Sequence, residues 1–334
     1  MASPSSSFIV GVDLGGTNIV VAAMSADGSR LIGERSEPTR AAEGADAVIA
    51  RMAAMVNQTI DTVIAEAGVS REAITGVGVG APGTVDRSTG LVLDAPNLDW
   101  HDFPLAERMT ALTGLPVKVD NDANCATYGE WWLGAARGGR NVIGVTIGTG
   151  VGGGIIIDRQ VYHGSTDAAG EIGHITIDLH GRRCGCGNYG CLEAYASGTA
   201  IALRAREALH NDESSILPSL VHGDLSKLTA ATVYAGAAQG DAVALEIVRD
   251  TAKFLGAGLA NLLNVFNPDV VVIAGGVTQA GEALFGPLRT EVRRRAFKSV
   301  SSACRIVPGT LPGTAGVVGA VATYIAQTTG QPPA

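Results

Sequence analysis

Ile9-Val10-Gly11-Val12-Asp13-Leu14-Gly15-Gly16 is nearly repeated further along the chain as Val142-Ile143-Gly144-Val145-Thr146-Ile147-Gly148-Thr149. Each stretch is an apolar, β-branched run that stops in a glycine turn. Each is followed by a second such run, Ile19-Val20-Val21 in the first copy and Ile155-Ile156-Ile157 in the other. The pattern predicts strand, Gly-rich turn, strand, made twice. Glycine has no Cβ, so backbone N–H groups in such turns can approach a phosphate closely. Two such loops in one chain read as a clamp on one polyphosphate. The copies differ at one place that matters: Asp13 in the first is Thr146 in the second. A single carboxylate there would hold Mg2+, directly or through water. For either loop alone, an ordinary hairpin turn that binds nothing is the simpler alternative.

Rival motifs fail on their surroundings. Gly148-Thr149-Gly150-Val151-Gly152-Gly153 has the spacing G-x-G-x-x-G, but a dinucleotide fingerprint needs a helix after the glycines and here a strand-like run follows. No G-x-x-x-x-G-K-[ST] is present, which excludes a Walker-type loop.

Composition sets the frame. At 334 residues the chain has room for about two domains with separate cores. A hydrophobic content of 46%, with 4% aromatic residues and 45 glycines, points to an α/β protein with many tight turns. The net charge of −8 argues against a nucleic-acid or anionic-membrane surface. No apolar run approaches the roughly 20 residues that span a bilayer. The stretch 1–7 is polar and uncharged, unlike a signal peptide. Three of the five cysteines fall within eight residues, which fits metal binding in a reducing cytoplasm better than a disulfide framework.

Periodicity and breakers place further elements. Helical spacing covers 45–67, with Gly68 suited to the C-terminal cap. A buried strand over 74–80 stops at Ala81-Pro82-Gly83, and a short helix over 105–113 precedes a strand over 116–120. Asn121-Asp122-Ala123-Asn124 then opens a helix toward Trp131. Another helix over 252–266 is stopped by Asn267-Pro268, a strand over 269–274 ends at Gly275-Gly276, and a last helix covers 316–327. The mixture is βαβ-like with added hairpins. The expected division is a first domain over 1–122, rejoined by a C-terminal helix over 315–330, and a second over 123–314.

His174, Cys184, Cys186 and Cys191 form H-x9-C-x-C-x4-C. Four such ligands in a short segment suit tetrahedral zinc with no open position for a reactive water. Buried free thiols are the alternative, and the isolated Cys125 and Cys304 read as small core residues. Glu171 and Glu193 flank the cluster. A closed metal site needs neither, which leaves both free to accept hydrogen bonds from hydroxyls; solvated surface charge is the alternative. Asp122 would serve equally as a helix N-cap.

Together these residues resemble the ROK family (repressors, uncharacterised reading frames and sugar kinases), and within it the bacterial glucokinases. The resemblance is carried by Asp13-Leu14-Gly15-Gly16-Thr17-Asn18, Asn121-Asp122, the run Ile147 to Gly154, Gly170-Glu171-Ile172-Gly173-His174, the segment Cys184 to Glu193, and Ala274-Gly275-Gly276-Val277. It spans nearly the whole chain, and the zinc segment is its most specific piece. It implies an α/β fold of two actin-like (ribonuclease H-like) domains with a cleft between them, in the hexokinase/actin ATPase group.

It further implies that Gly15, Gly16, Thr17, Asn18 and Thr149 face ATP phosphates, with Asp13 near Mg2+ and Gly275 and Gly276 beside the adenosine. Asn121, Glu171, His174 and Glu193 would bind sugar hydroxyls, with Gly150 and Asn97 also lining the sugar pocket. Asp122 would be the general base. His174 would put one ring nitrogen on a structural Zn2+ and the other toward a hydroxyl. The partners implied are a small-molecule sugar and ATP, and a homodimer or higher homo-oligomer in the cytoplasm. Other sugars open to the same scaffold are N-acetylmannosamine, N-acetylglucosamine, allose and fructose. A sugar-responsive repressor is the non-enzymatic alternative; its helix-turn-helix domain would precede the first strand, which is expected to start at Phe8. Two segments depart from the family pattern: 164–169 is more polar, and 311–316 lacks an acidic residue.

Overall fold

A computed structural model describes residues 7–210 and 214–334. All but the last residue of the polar N-terminal stretch lies outside the described residues. The chain forms two compact units: Met1–Arg140 with Gly154–Gly170 and Thr310–Ala334, and Asn141–Gly153 with Glu171–Gly309.

The first unit opens with strands β1 (Phe8–Leu14), β2 (Asn18–Ser25) and β3 (Leu31–Pro38), then helix α1 (Ala45–Ala67) and strand β4 (Ile74–Ala81). Short strands β5 (Thr84–Asp86), β6 (Leu91–Ala95) and β7 (Trp100–Phe103) form a separate antiparallel sheet. Helix α2 (Leu105–Thr113), strand β8 (Val117–Asn121) and helix α3 (Asp122–Trp132) follow. The main sheet has the order β3-β2-β1-β4-β8. Its first three strands are an antiparallel meander, and β1, β4 and β8 run parallel. Val48, Ile49, Met52, Met55, Val56, Ile60 and Val63 make the buried stripe of α1, which packs with the sheet in one core.

A second five-stranded sheet repeats this plan. Strands β9 (Val142–Ile147), β10 (Val151–Ile157) and β11 (Gln160–Val161) lead to helices α4 (Glu193–Ala196), α5 (Gly198–Leu209), α6 (Leu217–Leu220), α7 (Ala230–Ala238) and α8 (Ala242–Phe266). Strand β12 (Val270–Ala274), helices α9 (Glu282–Arg295) and α10 (Lys298–Ala303), strand β13 (Arg305–Pro308) and helix α11 (Ala315–Thr329) complete the chain. The sheet order is β11-β10-β9-β12-β13, with β9, β12 and β13 parallel. The sequence repeat is therefore a topological repeat: a hairpin meander followed by two parallel strands, twice.

The chain leaves the first unit after Arg140 rather than at residue 122, because α3 packs along α11. Small residues make this close packing possible: a Cβ on Gly319 would overlap the carbonyl of Cys125, and one on Gly129 that of Ala315. Segment 154–170 also returns to the first unit, a crossing that local periodicity does not encode. Among the described residues, no helix is long and apolar enough to cross a membrane.

Candidate functional site

In the first unit, the β1–β2 turn is closed by Gly15 N–H donating to Asn18 O at 2.9 Å. Thr39, the residue after β3, buttresses it, donating its N–H to Thr17 O at 2.8 Å and its hydroxyl to Gly15 O at 2.6 Å. Gly16, Thr17 and Asn18 are left exposed on this turn. Asn97 stands beside it, its Cβ 3.6 Å from where a side chain on Gly16 would begin. Asp13, at the end of β1, lies against Gly316 in the first turn of α11, where any Cβ would collide with the carboxylate. The protein around Asp13 displaces water from it, and this desolvation raises its pKa from 3.8 to about 6. A cation at that place would reverse the cost.

The β8–α3 junction carries the acid–base candidates. Asn121, not Asp122, is the N-cap: its Oδ1 accepts from the N–H groups of Ala123 (2.9 Å) and Asn124 (3.1 Å). Its Nδ2 donates to Gly83 O at 3.0 Å. Asp122 is the first helical residue, partly exposed, and accepts from Ala123 N–H at 2.8 Å. The capping role expected of Asp122 thus falls to Asn121.

In the second unit, Gly148 N–H donates to Gly150 O at 3.0 Å across the β9–β10 turn. A pocket of about 450 Å³ opens beside Gly148 and Thr149, with walls from one face of α5, the start of α7, and Gly276 and Val277. That size falls within the ordinary range of small-molecule sites. Gly275 adopts φ +97° and passes so close to Ile147 O that no side chain fits. On the other side of the turn, Val151 N–H donates to Glu193 Oε2 at 2.9 Å. A Cβ on Gly150 would overlap the same oxygen.

The proposed metal ligands converge. Nδ1 of His174 and the sulfurs of Cys184, Cys186 and Cys191 lie within 4.8 Å of one another. The Cys184–His174 Nδ1 and Cys186–Cys191 separations are both 3.7 Å. Tetrahedral zinc with Zn–S bonds of about 2.3 Å requires ligand spacings of about 3.8 Å, so the set fits the ion. His174 Nε2 points instead toward Glu171 Oε2 at 3.9 Å, and Cys184 Sγ lies 3.7 Å from Glu193 Oε1. The metal loop thus braces both carboxylates proposed for hydroxyl binding. Burial pushes the Cys184 and Cys191 thiols up, Cys191 to about 12.

Comparison with known proteins gives the family. The ROK family model matches residues 9–327. The chain is 40% identical to a glucokinase of Halalkalibacterium halodurans, over 93% of this chain and 92% of that protein. It is 35% identical to a putative xylose repressor of a Caldicellulosiruptor species, over 95% of this chain and 78% of that one. A ROK glucokinase from Streptomyces griseus, solved with glucose and AMPPNP, superposes with a TM-score of 0.82 at 35% identity, covering 94% and 98% of the two chains.

The chain belongs to the ROK family.

Its fold is accordingly the two-domain, actin-like fold of the ROK sugar kinases. Each unit of this ROK chain gathers its own share of the expected site. Asp13, Gly15, Gly16, Thr17, Asn18, Asn97, Asn121 and Asp122 fall in the first unit. Thr149, Gly150, Glu171, His174, Glu193, Gly275 and Gly276 fall in the second. Sequence reasoning passed over the α5 and α7 residues lining the pocket, because helix faces carry no motif. It also passed over Asp120, which is buried directly before the Asn121-Asp122 turn. Asp120 Oδ1 accepts from Asn121 N–H (2.8 Å) and Asn124 Nδ2 (3.2 Å), while Oδ2 faces His163 Nε2 at 2.8 Å and Arg87 Nε at 3.3 Å. A carboxylate directly before Asn121-Asp122 was the available signal.

Proposed function

We propose that this ROK protein is an ATP-dependent hexose kinase that phosphorylates the 6-hydroxyl of glucose. The observation that carries the reading is the β9–β10 turn. Its Gly148–Thr149 edge borders a nucleotide-sized pocket, while its Gly150–Val151 edge holds Glu193, the carboxylate braced by the metal loop. Phosphoryl donor and hydroxyl acceptor would meet across this four-residue turn. The likeness to the Streptomyces griseus glucokinase supports both ligands.

In this reading Asp122 takes the proton from the attacking 6-hydroxyl. Asn121 holds the first turn of α3. Asn97, Glu171, His174 and Glu193 orient the sugar through its hydroxyls. The amides of the β1–β2 and β9–β10 turns, with Thr17 and Thr149, position the phosphates, and Gly275 and Gly276 lie beside the adenosine. Asp13 would hold Mg2+, which when bound with ATP offsets charge on the transferring phosphoryl group. The His174, Cys184, Cys186 and Cys191 set would hold Zn2+ as a brace, since four protein ligands leave no position for substrate.

An ADP-release assay over a panel of hexoses and N-acetylhexosamines tests the proposal. Glucose is expected to give the highest kcat/KM. Preference for an N-acetylhexosamine would reassign the substrate. Sugar binding without ADP release from any sugar would favour a regulator of the kind represented by the xylose repressor relative.

A further inference from the structure

Arg206 closes one end of the pocket beside Gly148 and Thr149. It is partly buried and is the one charged side chain lining that pocket. Among the described residues its guanidinium makes no hydrogen bond or ion pair. Its neighbours on α5 are engaged: Arg204 bonds Tyr195 O, Thr251 Oγ1 and Ile247 O, and Glu207 pairs with Arg182. A partly desolvated, unpartnered cation costs free energy in the empty protein, and a ligand would recover it.

Position along α5 says which part of the ligand it meets. Gly198, Ala202 and Arg206 recur every four residues and share one helix face. Gly198 N–H donates to Gly148 O at 2.8 Å, so this end of α5 abuts the phosphate turn. Arg206 lies eight residues on, about 12 Å along the helix at 1.5 Å per residue. Gly198 and Ala202, both small, line the pocket between. A nucleotide with its phosphates at Gly148–Thr149 and its long axis along α5 would therefore bring its base, not its phosphates, to Arg206.

We infer that Arg206 is the nucleobase-recognising residue of the phosphoryl donor site, an assignment that rests on the proposed kinase reading. Guanidinium is flat and offers donors but no acceptor, so it meets a purine through the ring face or the ring's acceptor nitrogens. Stacking of a cation on an aromatic face at a partly desolvated site corresponds to a factor of about five to thirty in affinity.

The test is calorimetric titration of the full-length protein with ADP and with tripolyphosphate, which has no base, for wild type, Arg206→Ala and Arg206→Lys. The expected result is a five- to thirty-fold weaker ADP affinity in Arg206→Ala, with tripolyphosphate affinity unchanged. Arg206→Lys, which keeps the charge but not the planar fork, should restore little of the loss. In steady-state assays KM for ATP should rise by the same factor, with kcat and KM for sugar within twofold. Equal weakening of ADP and tripolyphosphate, rescue by Lys, or unchanged ADP affinity would each overturn the assignment. Wild-type protein that binds no ADP would instead overturn the kinase reading itself.

Discussion

Asp122 occupies the first turn of α3, where backbone N–H groups lack helical partners. Asn121 carries the capping, so Asp122→Asn should fold normally, with an unfolding midpoint close to wild type. Turnover should fall by about 10²–10⁴-fold, while calorimetric glucose binding persists. Full activity would remove Asp122 from the mechanism. Asp13 differs, because burial raises its pKa from 3.8 to about 6. Folding takes up a proton there between about pH 4 and 6, so this group's contribution to stability falls as pH rises through that window and stays low above it. Asp13→Asn should therefore raise the thermal midpoint of the metal-free protein at pH 7 to 8 and change it little at pH 4. The same substitution should abolish most Mg2+-dependent turnover. A lower midpoint at pH 8 would contradict the desolvation argument.

The metal loop and the β9–β10 turn act as one element. Zinc would organise the segment from His174 to Cys191, and that segment in turn positions Glu171 and Glu193. Cys191→Ser should lose the metal, measured as zinc per chain falling from about one to near zero. It should also make the loop protease-sensitive and raise KM for sugar sharply, with ADP binding changed less. The raised Cys184 and Cys191 thiols are protonated at neutral pH, so zinc binding should release protons and tighten as pH rises. Titrations in buffers of different ionisation enthalpy would count those protons. Gly150→Ala separates the turn from the metal: its Cβ would displace Glu193 Oε2. Sugar KM should rise while zinc content stays at wild-type level.

At the scale of the whole molecule, the C-terminal helix matters most. Helix α11 is buried from Ala315 to Tyr324, packed on α3 and on strands β1 and β4. The packing is backbone to backbone at Gly319. Gly319→Ala should lower stability by about 1–3 kcal/mol through overpacking, seen as a reduced unfolding midpoint. Zinc content, set by residues of the other unit, should not change. An unchanged midpoint would mean that α3 and α11 can separate at little cost.

Much of the fold was legible before any coordinates. The two hairpins, α1 with its Gly68 cap, α2 and the strand before Gly275 follow from periods of 2 and 3.6 residues and from glycine breakers, which are local properties. The metal set was legible because cysteine and histidine at such spacing have few other uses. The small sheet β5-β6-β7 was not, because its strands are short and their alternation is weak. Only the tertiary structure decided that Asn121 rather than Asp122 caps α3, since either side chain has the required oxygen. It alone decided that α3 and segment 154–170 belong with the first unit, because packing against α11 and the buried Asp120–His163 pair join residues far apart in the chain. It also placed Arg206 in a pocket. A cation on a helix face looks like ordinary surface until the neighbouring elements enclose it.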